Sequence, residues 1–522
     1  MDEKIQILAK LLVHESLEYA FGVTGSGPSL ALITELESLG VRYYPVSHEA
    51  SAAIMAGTVS RITGRISVSI SIKGPGLANM LPGIAHNHFE NNSSLSISEA
   101  FGNGVPPYQR HKRLNHAALL SSIVKGIISL NEIDQQLPSL LNTAWREVPG
   151  PVHLDLCMRD TEGMATALSS SPETSAPSQA AAKEIFVRLN RSERPILVVG
   201  SLAWRRNWKE KLPSLTIPIF TTVSAKGVLG ESLPHSAGVY TGEGKELAAE
   251  SHIFKEADLV IGIGVRNTEV LSPKPFGKPT ILVDEINSEL ADGFQADLSL
   301  TDADSDFVSY VLNTLLNKSW GEKEVVFSRS RMQKALLDGG WLPPVCFKVL
   351  NDLVFPHTLV LDAGSFCTIG EHLWHAGPDR FFMGSSNGRF MGVALPSAVA
   401  SALCNAGMPV FCVVGDGGMR TYPTKVKLAV QERLPICLIL MKDGNYASVV
   451  CAPQSRPMSR RAVTVFQPSW WRSVEAMGCE AHPVDSEESF AATVQSWNRR
   501  GPLFIEASFD PEAYAGMTNR LR

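Results

Sequence analysis

MPVFCVVGDGGMRTYPTKVKLAVQERLPICLILMKDGNY, residues 408–446, reads as a strand, a glycine-rich tip, a helix and a second strand. The runs Val410–Val414 and Ile436–Met441 are apolar throughout rather than alternating, the mark of strands covered on both faces of a parallel sheet. The helical segment between them is the crossover that parallel neighbours require. The first tip carries Gly415, Asp416, Gly417 and Gly418; the second carries Asp443, Gly444 and Asn445. Glycines let the backbone approach a diphosphate, and a helix N-terminus offers unpaired N–H groups to the anion. Asp416 is a hard oxygen ligand suited to a magnesium ion. Asp443 follows it by 27 positions, about what a helix and the adjacent strand consume, so both tips can face one ion, with an oxygen of Asn445 as a third ligand. Taken alone, Gly-Asp-Gly equally fits a strand-ending turn. The pair of tips favours the ion.

The same texture recurs along the chain. An early block has "YAFGVTGSG", "VRYYPVS", "ISVSISIKGPG", "SLSISEAFG" and "PVHLDLC"; a middle block has "RPILVVGS", "IPIFTTVS", "ADLVIGIGV" and "PTILVDE"; a late block adds "TLVLDAG", "RFFMGSS" and "PLFIEASFD". Strands alternating with helical patterns predict parallel α/β structure. A Ser/Ala/Pro-rich connector at 161–182 and a mixed, charged one at 317–334 divide the blocks. The expectation is three consecutive Rossmann-like α/β domains with mainly parallel sheets, spanning 1–165, 183–318 and 335–522.

A chain of 522 residues, 44% hydrophobic, is long enough for several well-buried cores. The net charge of −5 is spread over interspersed residues, and no basic tract suggests a nucleic-acid or anionic membrane surface. Eight scattered cysteines without a Cys-x-x-Cys pair, and no leader ahead of them, read as reduced core residues of a cytoplasmic protein. No apolar run approaches the roughly 18–20 residues of a spanning helix.

One early carboxylate, Glu49 in "SHEASAAIMAGTVSRITGR", stands where a strand enters a helix of small residues. On its own it fits a helix-N-terminal acid favoured by the dipole. Taken with "KGPGLANMLPGIA" and the late "GDGG…LPICLILMKDGNY", the segment resembles the thiamine-diphosphate-dependent enzymes of the acetolactate synthase, pyruvate decarboxylase and benzoylformate decarboxylase superfamily. The resemblance covers nearly the whole chain. It implies pyrimidine-binding, central and diphosphate-binding domains in that order, with thiamine diphosphate and Mg²⁺ as cofactors. It assigns Glu49 to the aminopyrimidine N1′, where a carboxylate shielded from water can share a proton with a ring nitrogen. Ala50, Ser51, Ala52 and Ala53 would allow the close approach.

The resemblance also places Gly364 and Ser365 of "LDAGSFCT" against the diphosphate, and Asp443 where relatives carry an asparagine ligand. Met391 of "SSNGRFMGVALPSA" matches the bulky residue that bends the cofactor, although a core methionine is the alternative. Arg389 departs from the glycine that relatives commonly place two residues earlier. Tyr446 completes the cofactor-side set. Ser26, Gln109 and Lys73 fall where relatives place substrate-side groups, and each also reads as an ordinary loop or surface residue. Lys73 and Arg389 together would make the pocket cationic and suit a 2-oxo acid with an extra anionic group. FAD in the central domain stays open: some relatives carry a nucleotide there, but no G-x-G-x-x-G is present. Lys226 resembles a residue near the active-site entrance of acetolactate synthases.

The implied reaction is decarboxylation of a 2-oxo acid with carboligation of the remaining acyl unit to an acceptor carbonyl. Simple decarboxylation to an aldehyde and a non-catalytic thiamine-diphosphate-binding protein are the alternatives. The family further implies a homodimer or homotetramer with active sites between subunits.

Overall fold

In the computed structural model the described residues are 1–102, 105–157, 179–266, 269–270, 277–285, 296–301, 303, 305–450, 457–466 and 469–521. Most of the 161–182 connector lies outside them. Three six-stranded sheets, parallel throughout, account for the strands. The first contains β1 (Tyr19–Gly22), β2 (Arg42–Pro45), β3 (Val68–Ser71), β4 (Ser94–Glu99), β5 (Ile127–Ser129) and β6 (Pro151–Leu156), in the order β2-β1-β3-β4-β6-β5. The second contains β7 (Pro195–Val199), β8 (Ile219–Thr221), β9 (Ser236–Val239), β10 (Leu259–Ile263), β11 (Thr280–Val283) and β12 (Leu298–Leu300), ordered β12-β11-β10-β7-β8-β9. The third contains β13 (His357–Leu361), β14 (Arg380–Gly384), β15 (Val410–Gly415), β16 (Ile436–Lys442), β17 (Glu480–Val484) and β18 (Leu503–Ser508), ordered β14-β13-β15-β16-β18-β17.

The unbroken apolar runs follow from this layering. In β7, Ile196 and Val198 enter one core while Leu197 and Val199 enter the other, so every residue must be apolar. Each order reverses direction near its middle, between β1 and β3, between β7 and β10, and between β13 and β15, and the first and third reverse again at one edge, where β6 and β18 return inside β5 and β17. Beyond the carboxyl ends of such neighbours the connections diverge and leave a crevice, where ligands of open α/β sheets bind.

Two expectations change. The charged stretch 317–334 is mostly a helix, Glu322–Leu337. Strands β5, β9, β12 and β17 escape the sequence reading, and every one is a sheet edge.

By contacts the chain forms two compact units, residues 1–171 with 392–407 and 421–436, and residues 172–391 with 408–420 and 437–522. The first unit is organised on the helix Glu49–Thr63, which is buried from Glu49 to Ser60. Its small side chains admit two neighbours. The helix Pro75–Phe89 crosses so closely that a Cβ on Gly83 would sit 2.2 Å from the Ala50 carbonyl oxygen, and Asn87 Nδ2 donates to the Ala53 carbonyl at 2.7 Å. On another side lies the helix Ala394–Cys404, where Thr58 Oγ1 donates to Ser397 Oγ at 3.2 Å.

Gly83→Ala tests this crossing. Alanine gains about 1 kcal/mol of helix propensity, but the overlap is with backbone, which cannot rotate away. A net loss of roughly 1–3 kcal/mol is expected, read as a lower denaturation midpoint.

Candidate functional site

At the third sheet's reversal, β15 ends at Gly415 and β13 runs through Gly364 into the helix Ser365–Leu373. Asp416, buried at the first tip, accepts the backbone N–H groups of Asp443 (2.9 Å) and Gly444 (2.7 Å) from the second. Asp443 Oδ1 in turn accepts the Asn445 N–H at 2.8 Å, so Asp416, Asp443 and Asn445 form one cluster. Burial raises the Asp416 carboxyl above its ordinary value, against the two amides that favour its ionised form. Burial, then the neighbouring Asp416 charge, push Asp443 up to about 7. Two carboxyls resisting joint ionisation in one crevice are what a divalent cation would neutralise.

The crevice suits a diphosphate by independent observations. Ser365 Oγ is buried at the N-terminus of its helix without a hydrogen-bond partner among the described residues. A Cβ on Gly364 or Gly415 would come within 2.5 or 2.9 Å of the Phe366 ring. On Gly417 it would lie 2.6 Å from both Met391 Sδ and Tyr446 Cε1, so these three predicted residues converge. Gly418 is buried beside them.

Arg389 adopts φ 50°, the left-handed conformation that glycine tolerates best. Its guanidinium instead reaches the buried Glu371, at 2.6 Å from Nη1 and 3.3 Å from Nη2. That ion pair opposes the cost of the backbone conformation, and it removes Arg389 as a spare cation for substrate.

In the first unit Glu49 is 8% exposed at the start of its helix, and Asn79 Nδ2 donates to Glu49 Oε2 at 3.2 Å. Asn79 sits inside the quoted "KGPGLANM" motif, yet sequence reasoning gave it no role. His48 caps the helix, its Nδ1 accepting the Ala50 N–H at 3.2 Å. Ahead of it, Ser47 Oγ lies 2.7 Å from Thr424 Oγ1 and accepts from Lys425 Nζ at 3.1 Å. Lys425 is 2% exposed, and burial lowers its ammonium from 10.5 to about 8.

Glu99 links the tips of β1, β3 and β4. Its Oε1 accepts from Ser29 Oγ (2.7 Å) and N–H (3.2 Å), and its Oε2 from Lys73 Nζ (2.9 Å). Burial works to raise Glu99, but the Lys73 and Ser29 bonds prevail and lower it. Lys73 therefore has its own carboxylate. With Arg389 also paired, the surplus positive charge expected from these two residues is absent. Ser26 is exposed beside Gly27, whose Cβ would lie 2.6 Å from Glu99 Oε1. Gln109 is exposed, and its Nε2 donates to the Tyr108 hydroxyl at 3.3 Å.

A cavity of about 460 Å³, counting its open mouth, lies beyond β3 and β4 and is lined by Lys73, Phe101, Arg110, Lys112, Arg113 and His116 among others. His116 is backed by Asp155 (2.6 Å), which also meets His153 (3.1 Å). Burial works to raise Asp155, but the histidine bonds hold it well below the usual carboxylate range.

Residues 4–103 match the N-terminal TPP binding domain of thiamine pyrophosphate enzymes, 182–309 the central domain and 362–507 the C-terminal TPP binding domain. The chain belongs to the thiamine pyrophosphate enzyme family. The acetolactate synthase of Bacillus subtilis (strain 168) is 23% identical over 97% of this chain and 93% of its own. The catabolic acetolactate synthase of Raoultella terrigena is 24% identical over 97% and 94%, and the 2-hydroxyacyl-CoA lyase of Arabidopsis thaliana is 23% identical over 98% and 96%.

In this thiamine pyrophosphate enzyme the described residues at the middle sheet's tips include bonded carboxylates. Glu269 accepts the Ser201 N–H at 3.0 and 3.2 Å and the Thr222 hydroxyl at 2.9 Å, while Arg266 holds Asp284 at 2.5 Å. A carboxylate occupies the amide that a dinucleotide phosphate would need, so FAD gains no support at that crevice. Lys226 is buried and paired with Glu231 at 2.5 Å. No described helix is long and apolar enough to cross a membrane.

Two predictions follow from these environments. Asp416→Ala should weaken Mg²⁺-dependent thiamine diphosphate binding by roughly 100-fold or more, measured by calorimetric titration with circular dichroism as the folding control. Below about pH 8 Lys425 is protonated in both states and its burial cost applies in full; between about 8 and 10.5 only the unfolded chain stays protonated, so stability rises with pH. Lys425→Met should therefore stabilise the fold by roughly 1–3 kcal/mol at pH 7, an advantage that shrinks as pH passes from 8 toward 10.5 in a series of thermal melts.

Proposed function

We propose that this enzyme decarboxylates a 2-oxo acid and joins the remaining acyl unit to the carbonyl of an acceptor. The observation that carries the reading is Glu49, a carboxylate withdrawn from water at a helix start and oriented by Asn79. Nothing in the helix packing requires an acid there, because its neighbours are small and apolar. Thiamine diphosphate, when bound, supplies the electron sink that decarboxylation requires. Glu49 would hold and exchange the proton at the aminopyrimidine N1′, and Asn79 would fix the carboxylate's direction. Asp416, Asp443 and Asn445 would hold Mg²⁺, while Gly364, Ser365, Gly415, Gly417 and Gly418 would receive the diphosphate. Met391 and Tyr446, packed about Gly417, would support the bend between the rings, with Arg389 fixing the preceding turn.

Near full-length similarity to proteins named acetolactate synthase supports carboligation over simple release of an aldehyde. The assembly proposed is a homodimer or homotetramer with active sites between subunits, and a fully active monomer at assay concentration would overturn it.

The test is CO₂ release from a panel of 2-oxo acids, with and without thiamine diphosphate and Mg²⁺, followed by product analysis. Acyloin formation is expected. Glu49→Gln should lower kcat by roughly 10²–10⁴-fold while retaining cofactor binding. Aldehyde alone would favour the simple decarboxylase, and tight cofactor binding without release from any donor would favour a non-catalytic protein.

A further inference from the structure

We infer that the cavity beyond β3 and β4 is a subsite for a phosphoryl or phosphonyl group, carried by a substrate of the reaction proposed above. Only the word substrate rests on that reading; the anion site itself does not.

The charge is concentrated against the trend of the chain. Net charge is −5 overall, yet no Asp or Glu occurs between Glu99 and Glu132, and the intervening segment carries "QRHKRLNH". The fold turns Arg110, Lys112, Arg113 and His116 of this segment onto one cavity, together with Lys73 from the tip of β3. Lys73 is neutralised by Glu99, but Lys112 and Arg113 have no carboxylate partner among the described residues. His116 likewise has Asp155, so the uncompensated charge is that of Lys112 and Arg113, and two like charges facing one recess are stabilised by an anion.

The loop is also anchored. Lys112 has φ 64°, and its carbonyl packs on Gly74, where a Cβ would come within 2.1 Å of the oxygen. Gly74 itself has φ 66° and precedes the helix Pro75–Phe89, so the basic loop is tied to the β3 tip. Arg110 is held from behind, its Nε donating to the Val105 carbonyl at 2.6 Å. Guanidinium forks match tetrahedral oxyanions with paired hydrogen bonds, and a doubly charged group gains more from several cations than a single carboxylate does.

The experiment is isothermal titration of the full chain, saturated with thiamine diphosphate and Mg²⁺ so that the diphosphate crevice is filled, at low salt and pH 7.5. The probes are phosphonoacetate and 2-phosphoglycolate, with malonate as the carboxylate control. Both phosphorus ligands should bind at least tenfold tighter than malonate, and the difference should fall as salt is added. Lys112→Asn, which keeps a residue tolerant of positive φ, and Arg113→Ala should each weaken them by roughly tenfold. Tighter binding of phosphonoacetate would identify a C–P substrate, and of 2-phosphoglycolate a phosphate ester; both retain the subsite. Absence of binding, equal affinity for malonate, or unchanged affinity in the double variant would overturn it. Phosphonoacetate binding that persists when no 2-oxo acid releases CO₂ would retain the anion site and overturn the proposed reaction instead.

Discussion

A carboxylate at Glu49 can be kept from water only because the helix it begins is built from side chains too small to hold neighbours away. Ala50, Ala52, Ala53, Ala56 and Gly57 let the helix Pro75–Phe89 approach until Gly83 meets backbone, and that approach brings Asn79 within hydrogen-bond reach of Glu49. Larger residues would separate the helices and admit water to the carboxylate, raising the effective dielectric around it. Packing density and proton chemistry are thus one constraint in the first unit. The buried Lys425, tied to Ser47 just ahead of the same helix, adds an electrostatic cost that its environment only partly relieves.

The third sheet solves the opposite problem. Where Glu49 stands as a single acid, the β15 and β16 tips bring Asp416 and Asp443 into one crevice, where each accepts backbone amides. The amides favour Asp416 in ionised form, yet burial leaves both carboxyls with a raised affinity for protons. Beside them Ser365 Oγ lacks a partner among the described residues. Two crowded carboxyls and an unpartnered hydroxyl at one reversal point form a pattern that a metal and a diphosphate would complete together.

Strands that lie between two others were legible in the sequence because burial on both faces demands continuous apolar runs, as in Val410–Val414. The missed strands are edges. β12 reads Leu-Ser-Leu, and β17, Glu-Ala-His-Pro-Val, has two of five residues buried, so neither leaves a hydrophobic signal distinct from a loop. The candidate residues at strand tips were legible for a similar reason, since glycine and aspartate at a tip report local backbone needs. Asn79 was not, because its contact with Glu49 depends on a helix crossing 30 residues away in sequence.

Charge was the least legible property, because the sequence shows which cations exist and not what neutralises them. Lys73 is paired with Glu99, 26 positions on, and Arg389 with Glu371, 18 positions back. Both partners are buried, and neither belongs to a motif. Counting Lys73 and Arg389 as free charges therefore misplaced the positive potential. The net charge of the chain hides the local excess of Arg110, Lys112 and Arg113. Only the fold brings their loop over the β3 tip, where Gly74 leaves room for the Lys112 carbonyl. Net charge averages over a surface, whereas an anion responds to the few cations within a Debye length, so the recess and not the composition determines what this face attracts.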